Sequence, residues 1–224
     1  MKLSEKDKDE VKKRYSDRYS EFGYSPKSLG WDKGKQDIRF AILTSQYNFE
    51  GKHVLDIGCG FGDLNKTLQT KAKNYKYTGI DMVEPLVKKG IEIFGKEGAE
   101  FHVGDFLDPS FKGNFDYAIA SGIFNFKLSH DDNYNFVESV IKKALEVCKD
   151  GLAFDFLSDK VDYRKEITFH NSPEKILGIA YKFSRNVVLR NDYMPFEFGL
   201  FINKNDSFEA SDSVFNSYKQ GLNK

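Results

Sequence analysis

Three aspartates in the first half of the chain lie at or near the ends of short apolar stretches. They are Asp56, Asp81 and Asp105, and two residues after Asp56 comes the first of three glycines with the spacing Gly-x-Gly-x-Gly. Glycines let the chain turn sharply and bring bare backbone amides against a ligand. A carboxylate beside such a turn would repel a pyrophosphate, which otherwise favours the amides of a helix N-terminus. The pattern therefore predicts a nucleotide-type ligand that carries positive charge near the turn.

The glycine-rich turn connects a predicted strand to a predicted helix. Residues 54–57 are an apolar run typical of the first buried strand of an α/β domain. Leu64 and Leu68, at helical spacing, predict that a helix over residues 61–69 leaves the turn. A strand, a glycine-rich turn and a helix at the edge of a parallel sheet form a nucleotide-type site. Dinucleotide sites have the spacing Gly-x-Gly-x-x-Gly, so an NAD-dependent oxidoreductase is disfavoured.

Residues 56–62, Asp-Ile-Gly-Cys-Gly-Phe-Gly, resemble motif I of the class I S-adenosylmethionine-dependent methyltransferases. The ammonium and sulfonium of S-adenosylmethionine would supply the positive charge that Asp56 favours. The resemblance covers roughly residues 50–203. It implies a Rossmann-like α/β fold, with a seven-stranded, mostly parallel sheet flanked by helices and an N-terminal helical cap. It also implies S-adenosylmethionine as cofactor, S-adenosylhomocysteine as product, and cofactor contacts at Gly58, Cys59 and Gly60.

Further cofactor contacts are expected where the second and third strands end. Asp81 ends the predicted strand 75–81, where a carboxylate can accept hydrogen bonds from both ribose hydroxyls, and Met82 could pack on the adenine face. A strand-end aspartate can also simply cap the next helix. The resemblance implies that Asp105 accepts from the adenine amino group and that the backbone N–H of Phe106 donates to the ring.

The segment after the predicted fourth strand, residues 114–120, should cross the mouth of the site. Ser121 and Gly122 are expected to contact the cofactor and Asn125 the acceptor. At this position, amino-methylating nucleic-acid enzymes carry an Asn/Asp-Pro-Pro-aromatic motif, and cytosine C5 enzymes carry Pro-Cys. Neither motif is present, which argues against both base-methylating classes.

Helical patterns precede the glycine-rich turn. Residues 4–21 predict a helix capped by Ser4, with Tyr15 and Tyr19 on one face. Its tyrosines could pack on the core, or the helix could cover the cofactor and acceptor, as N-terminal additions commonly do in the family. Residues 1–49 are therefore predicted to form a helical lid, in which Tyr15, Tyr19 and the sole tryptophan, Trp31, would contact the acceptor.

A second helical pattern covers residues 33–48 and contains Arg39. The planar guanidinium matches a carboxylate bidentately, so Arg39 is a candidate partner of the methionine carboxylate. The alternative is an arginine solvated on the helix surface.

The remaining pattern predicts the other half of the sheet. Residues 131–148 predict an amphipathic helix that ends at Asp150–Gly151, with Gly151 as a left-handed cap. The following predicted elements are strand 152–157, helix 172–183, and strands 186–190 and 196–202. This alternation matches the seven-stranded layout, in which the last strand runs antiparallel. The core domain is placed at residues 50–204 and a polar tail at 205–224.

Methyl transfer from a sulfonium is an in-line displacement, so positioning and exclusion of water should supply most of the rate. A hydroxyl nucleophile would also gain from a general base, whereas an amine need only be neutral. The candidate catalytic residues are His170, Asp192 and Glu197, with Ser121, Asn125, Arg190 and Tyr193 as orienting groups. A side chain of this kind, taken alone, is more often structural than catalytic.

Composition limits the class of partner. The chain has 34 Lys plus Arg and 34 Asp plus Glu, so no overall positive field favours nucleic acid. The N-terminus has no apolar signal region, and no apolar run approaches membrane-spanning length, which predicts a soluble, cytoplasmic protein. No cluster has convincing metal-ligand spacing. The sequence predicts O- or N-methylation of a small molecule; the alternative is a non-catalytic cofactor-binding or assembly protein that retains the fold.

Overall fold

The computed structural model describes residues 3–31 and 35–205, and it contains one sheet of seven strands. The strands are β1 (Lys52–Ile57), β2 (Tyr75–Asp81), β3 (Glu100–Val103), β4 (Phe115–Ala120), β5 (Cys148–Leu157), β6 (Asn186–Arg190) and β7 (Glu197–Asn203). The helices are α1 (Glu5–Phe22), α2 (Gln36–Leu43), α3 (Leu64–Lys71), α4 (Glu84–Phe94), α5 (Asn133–Val147) and α6 (Pro173–Ala180). Short 3-10 turns occupy Pro26–Leu29 and Gly95–Glu97.

The strand order is β3-β2-β1-β4-β5-β7-β6. Strands β1 to β5 run parallel, and β7 runs antiparallel to both β5 and β6. The Rossmann-like sheet expected from the sequence is therefore confirmed, including its reversed last strand. The order changes direction at β1, which pairs with β2 on one side and β4 on the other. Ligands of open α/β sheets bind at such a switch point, outside the carboxyl ends of the strands.

Two apolar layers cover the sheet. One face packs against α5 and α6, whose buried residues join a core that includes Phe154, Phe156 and Phe198. The other face packs against α2 and α3 through residues such as Leu43, Leu64 and Phe201. Both helix pairs show the 3.6-residue spacing of apolar side chains expected for helices buried on one side.

The predicted boundary between α5 and β5 was wrong. The apolar pattern placed the end of the helix at Asp150–Gly151, but α5 ends at Val147 and β5 begins at Cys148. Gly151 lies inside β5, where a Cβ atom would come within 2.4 Å of the carbonyl oxygen of Ile202 on β7. The glycine is needed because two backbones approach closely, not because a helix needs a left-handed cap.

Other elements are also shorter than the sequence pattern suggested, among them α6, which was predicted over residues 172–183 and occupies Pro173–Ala180. Residues 61–63 form a turn, so α3 begins only at Leu64. The third strand and its end were predicted over residues 99–106, but β3 is confined to Glu100–Val103. Helix α2 begins at Gln36 and ends at Leu43. The predicted start of that helix at residues 33 and 34, and the predicted tail from residue 206 onward, lie outside the described residues.

Candidate cofactor and acceptor site

A cavity of about 750 Å³ lies at the carboxyl ends of the parallel strands, beneath α1. Its wall includes the glycine-rich turn after β1, the ends of β2 and β4, and residues 104–107 beyond β3. The other side is formed by residues 160–170 after β5 and by residues 195–197 at the start of β7. The cavity therefore occupies the switch point of the sheet, where the sequence placed a nucleotide-type site.

The turn after β1 brings backbone to the cavity wall. Gly58 and Gly60 have φ values of +70° and +53°, in the left-handed region that favours glycine. A Cβ atom on Gly58 would lie 2.2 Å from Cγ2 of Ile123, so a larger residue would also displace the loop after β4. Cys59, between the two glycines, is a buried free thiol that lines the same cavity.

Asp56 lines the cavity and is almost fully buried. Its Oδ2 accepts a hydrogen bond of 2.7 Å from the hydroxyl of Tyr77 on β2. Burial raises the pKa of Asp56 to about 7, the Tyr77 hydrogen bond opposes that change, and the nearby carboxylates of Asp81 and Asp63 add to it. A cationic ligand at this position would favour the ionised carboxylate.

Asp81 ties the end of β2 to the glycine-rich turn. Its two carboxylate oxygens accept backbone hydrogen bonds of 2.8 Å, one from Gly60 N–H and one from Val83 N–H. Burial raises the pKa of Asp81, and these backbone donors counteract part of the rise. Asp81 therefore braces the turn between β2 and α4, but it does not cap α4, which begins without a side-chain cap, and it also faces the cavity together with Met82.

Asp105 is paired with a residue that the sequence did not connect to it. Its Oδ1 accepts a hydrogen bond from Leu107 N–H at 2.8 Å, and its Oδ2 lies 3.1 Å from Nζ of Lys8 on α1. Both side chains are largely buried. Phe106, next in the chain, is buried and lines the cavity.

Helix α1 is fixed over the cavity by polar contacts at its first turn. Ser4 caps the helix as predicted, because its side chain accepts from Asp7 N–H. The carboxylate of Asp7, which is fully buried, accepts hydrogen bonds from the backbone N–H groups of Ser129 at 2.8 Å and His130 at 3.3 Å. These contacts attach α1 to the segment that connects β4 to α5.

The two tyrosines of α1 point to different surroundings. Tyr15 lines the cavity, whereas Tyr19 packs against Phe61 with ring centroids 5.6 Å apart and does not line it. Trp31, beyond the helix, lines the cavity and covers Gly122.

Arg39 on α2 is buried and faces Glu197 at the start of β7. Arg39 Nε donates to Glu197 Oε2 at 2.6 Å, and Nη2 donates to Oε1, which makes the pair bidentate. The guanidinium lies 3.7 Å from the ring centroid of Trp31, and burial lowers the pKa of Arg39. Within residues 3–31 and 35–205, Nη1 has no hydrogen-bond partner. That nitrogen is the part of Arg39 that a ligand in the cavity could still engage.

Asp155 on β5, which sequence reasoning missed, holds two residues that line the cavity. It is 1% exposed, and its carboxylate accepts from Ser121 Oγ at 2.5 Å and from Gly122 N–H at 2.7 Å. Burial raises the pKa of Asp155, while Arg39 and the two hydrogen bonds oppose that change. The sequence did contain a signal, which is an acidic residue between two phenylalanines in a predicted buried strand. Because an unpaired buried carboxylate would be costly, such a residue indicates hydrogen-bond partners inside the fold.

His170 and Asn125 line the cavity. His170 Nδ1 lies 2.7 Å from the carbonyl oxygen of Ser158, and Nε2 lies 3.1 Å from Oγ1 of Thr168. Because a carbonyl only accepts hydrogen bonds, Nδ1 carries a proton, and a neutral ring would have its lone pair on Nε2, facing Thr168. Asn125 Oδ1 accepts from Leu157 N–H at 3.0 Å, so this side chain braces the end of β5.

Besides Tyr19, three predicted site residues lie outside the cavity wall. Arg190 and Asp192 form a surface ion pair, with Nε 2.9 Å from Oδ1. Tyr193 is half-buried beside Arg39 and Asp155, and its hydroxyl has no hydrogen-bond partner in the described part of the chain. The structure thus places His170 and Glu197 at the cavity and Asp192 away from it.

Across the ranges that the structure describes, no group of three or more His, Cys, Asp or Glu side chains could hold a metal ion. No helix in the same ranges has the length and apolarity needed to cross a membrane.

Comparison with known proteins agrees with the geometry of the cavity. Residues 54–151 match a family described as "Methyltransferase domain". A Mycobacterium tuberculosis protein with a methyltransferase name is 28% identical over 157 residues, which are 67% of this chain and 92% of that protein. Two relatives match shorter segments. Protein arginine N-methyltransferase 1 of Schizosaccharomyces pombe is 34% identical over 37% of this chain and 24% of that protein. The rRNA N(6)-adenosine-methyltransferase metl-5 of Caenorhabditis elegans is 29% identical over 43% of this chain and 49% of that protein.

The fold is also shared with solved structures. Magnesium protoporphyrin IX methyltransferase from Synechocystis PCC 6803, crystallised with bound S-adenosylmethionine, has a TM-score of 0.63. The likeness covers 88% of this chain and 97% of that one at 17% identity. The domain match includes most of β1, the glycine-rich turn and the ends of β2 and β4, and the relatives and the fold agree with it, so the comparisons support a class I S-adenosylmethionine-dependent methyltransferase.

Proposed function

We propose that the cavity binds S-adenosylmethionine at its β1–β3 side and presents a small-molecule oxygen or nitrogen acceptor from the β5–β7 side. The observation that carries the proposal is the placement of Asp56, Asp81 and Asp105 around one cavity beside the glycine-rich turn. When bound, S-adenosylmethionine supplies an activated methyl carbon. The protein's part is to hold both molecules in line and to exclude water.

The donor set fits the cofactor. Asp56 would attract the cationic end of the molecule. Asp81 would accept hydrogen bonds from the ribose hydroxyls, and Asp105 with Phe106 would bind the adenine. Gly58 and Gly60 offer backbone against the ligand, with Met82 beside the adenine and Ser121 and Gly122 at the mouth. The unpartnered Nη1 of Arg39 is the donor available for the methionine carboxylate.

A small acceptor is supported by the cover over the cavity. Helix α1 is held down by Asp7, Ser4 and Lys8, and Val11 and Tyr15 line the cavity from above. A cavity of about 750 Å³ lies within the range of small-molecule sites. The relatives that act on protein arginine or rRNA match less than half of this chain, so the resemblance to them does not extend to the whole acceptor side.

His170 is the side chain best placed to accept a proton from a hydroxyl acceptor. Its Nδ1–H donates to the Ser158 carbonyl, so a neutral ring would have its lone pair on Nε2, where Thr168 Oγ1 lies 3.1 Å away, and the residue lines the cavity. Glu197 is occupied by Arg39, and Asp192 pairs with Arg190 at the surface. Trp31, Asn125 and Tyr15 then border the acceptor.

Calorimetry with S-adenosylhomocysteine tests the cofactor assignment. We expect binding to wild type and at least about tenfold weaker binding to Asp81→Ala, since two ribose hydrogen bonds to a carboxylate would be lost. Glu92→Ala, which removes an exposed acid of α4, is the matched control and should bind like wild type. A preference for NAD would contradict the proposal.

Transfer of a labelled methyl group tests the acceptor class. A panel of small hydroxyl and amine compounds should include acceptors, whereas bulk RNA and unfolded protein should remain unlabelled. Tight cofactor binding without transfer to any member would favour the non-catalytic alternative, and label in RNA or protein would overturn the small-molecule assignment.

A further inference from the structure

Charge is divided unequally between the two sides of the cavity. The cofactor side carries the carboxylates Asp56, Asp81 and Asp105, and of these only Asp105 has a cationic partner in the described structure. The acceptor side carries cations from separate segments, among them Arg14 on α1 and Lys35 before α2. The whole chain has equal numbers of acidic and basic residues, so this division is local rather than a general excess.

Arg14 and Lys35 each lie over an aromatic ring of the cavity wall. The guanidinium carbon of Arg14 is 5.7 Å from the ring centroid of Phe126, and Nζ of Lys35 is 5.1 Å from that of Phe196. All four side chains line the cavity. A cation held against an aromatic face keeps its donors available for an anion.

Neither cation is neutralised by a carboxylate among residues 3–31 and 35–205. In contrast, Arg39 pairs with Glu197, and Lys160 lies 3.0 Å from Glu174. Of the remaining charged residues that line this side, Lys165 and Asp162 are exposed on one loop and have opposite signs. The uncompensated charge of the acceptor side is therefore positive and centred on Arg14 and Lys35.

The wall of the same cavity is also apolar and aromatic. Trp31, Phe126 and Phe196 supply rings, and Leu157 adds an aliphatic face. Such a surface buries a flat apolar body, while a few placed polar groups fix its orientation.

We propose that the acceptor is an aromatic or similarly flat apolar molecule bearing an anionic group, and that Lys35 and Arg14 receive this group. Carboxylate, phosphate and sulfate share the required chemistry, because each accepts charge-assisted hydrogen bonds from ammonium and guanidinium donors. The inference rests on the proposed function, since it assigns a substrate class to the acceptor side of that site.

Binding of matched probes tests the inference without knowledge of the natural acceptor. Calorimetry in the presence of saturating S-adenosylhomocysteine compares 4-hydroxybenzoate with its uncharged counterpart, 4-hydroxybenzamide. We expect the acid to bind about tenfold more tightly to wild type, the size of a hydrogen bond to a charged group. Phenyl phosphate and phenyl sulfate, run in parallel, identify which anionic group fits best.

The double variant Arg14→Gln/Lys35→Gln should bind the acid and the amide about equally, with the affinity for S-adenosylhomocysteine unchanged. Lys96→Gln removes one positive charge at an exposed position after α4 and should keep the preference for the acid. Equal binding of acid and amide by wild type, or no detectable binding of any anionic probe, overturns the inference. Loss of S-adenosylhomocysteine binding would instead contradict the proposed function, and it is measured separately on the same samples.

Discussion

Arg39 and Glu197 form a buried bidentate ion pair that joins α2 to the first residue of β7, with Arg39 Nε 2.6 Å from Glu197 Oε2. The two residues are 5% and 2% exposed, so neither charge is well solvated. A buried charge that loses its partner costs far more than a surface pair contributes. The pair therefore fixes the N-terminal segment to the acceptor side of the sheet.

Glu197→Gln should lower the free energy of unfolding by about 3–5 kcal/mol, because Arg39 would be left buried without a counter-charge. Urea denaturation measures the change. Glu146→Gln, at an exposed position of α5, is the control and should change little. The double variant Arg39→Met/Glu197→Leu should lose less free energy of unfolding than the two single variants lose in sum. A stability of Glu197→Gln equal to that of wild type would show that the pair is not structural.

Cofactor affinity should rise with pH through the region near 7. The pKa of Asp56 in the ligand-free protein is about 7, mainly because of burial, and a cationic ligand requires the ionised carboxylate. Below that pKa, binding must also remove a proton, so affinity should fall by up to about tenfold per pH unit. Calorimetry of S-adenosylhomocysteine from pH 5.5 to 8, in two buffers, should detect proton release.

Asp56→Asn should flatten this profile. A matched ligand gives a second control, because methylthioadenosine lacks the ammonium group and should show a weaker pH dependence. Identical affinities of wild type for S-adenosylhomocysteine at pH 6 and pH 8 would contradict the assignment of Asp56.

Opening of α1 should control release of the cofactor. Asp7→Ala removes the acceptor of two backbone N–H groups, leaving them unsatisfied at a cost of about 1–3 kcal/mol. We expect faster amide hydrogen exchange in residues 5–22 and faster dissociation of S-adenosylhomocysteine, measured by mass spectrometry and stopped flow. Asp17→Ala, on the exposed face of the same helix, should leave both rates near those of wild type. Unchanged exchange in Asp7→Ala would mean that this contact does not hold the helix down.

Gly58→Ala and Gly51→Ala separate backbone strain from steric fit. Both glycines have left-handed φ values, +70° and +72°, so each alanine should cost about 1–2 kcal/mol of stability. Only Gly58 is crowded: its added Cβ would meet Ile123 at 2.2 Å, whereas nothing lies within 4 Å at Gly51. S-adenosylhomocysteine binding should therefore be lost in Gly58→Ala and retained in Gly51→Ala. Equal binding by the two variants would argue against the close approach at the turn.

The parallel half of the fold was predictable because its signals are local. β2 begins at Tyr75 and ends at Asp81, as the sequence pattern predicted, and Asp81 sits where the strand must stop. The end of α5 was misjudged because Gly151 resembles a helix cap, and only the contact with Ile202 on a distant strand reveals its role.

The candidate site was likewise predictable only where its signals are local in the sequence. The cavity includes Asp56, Asp81 and Asp105, each expected from its position at a strand end. The partners of Arg39 and Asp105, and the presence of Asp155, depend on segments that meet only after folding. Their roles towards cofactor and acceptor stay predictions that the experiments above address.

The strand order gives the two halves of the cavity different origins along the chain. Except for contacts from the N-terminal segment, the donor half is encoded by one continuous stretch, from β1 to Gly122 after β4. The acceptor half instead collects α1, residues 31–39, the loop after β5 and the start of β7. A contiguous stretch can be inherited as a block, while scattered loops can change one at a time. Replacing the loop of residues 158–172 with that of a relative should therefore change which acceptor is methylated and leave the affinity for the methyl donor unchanged.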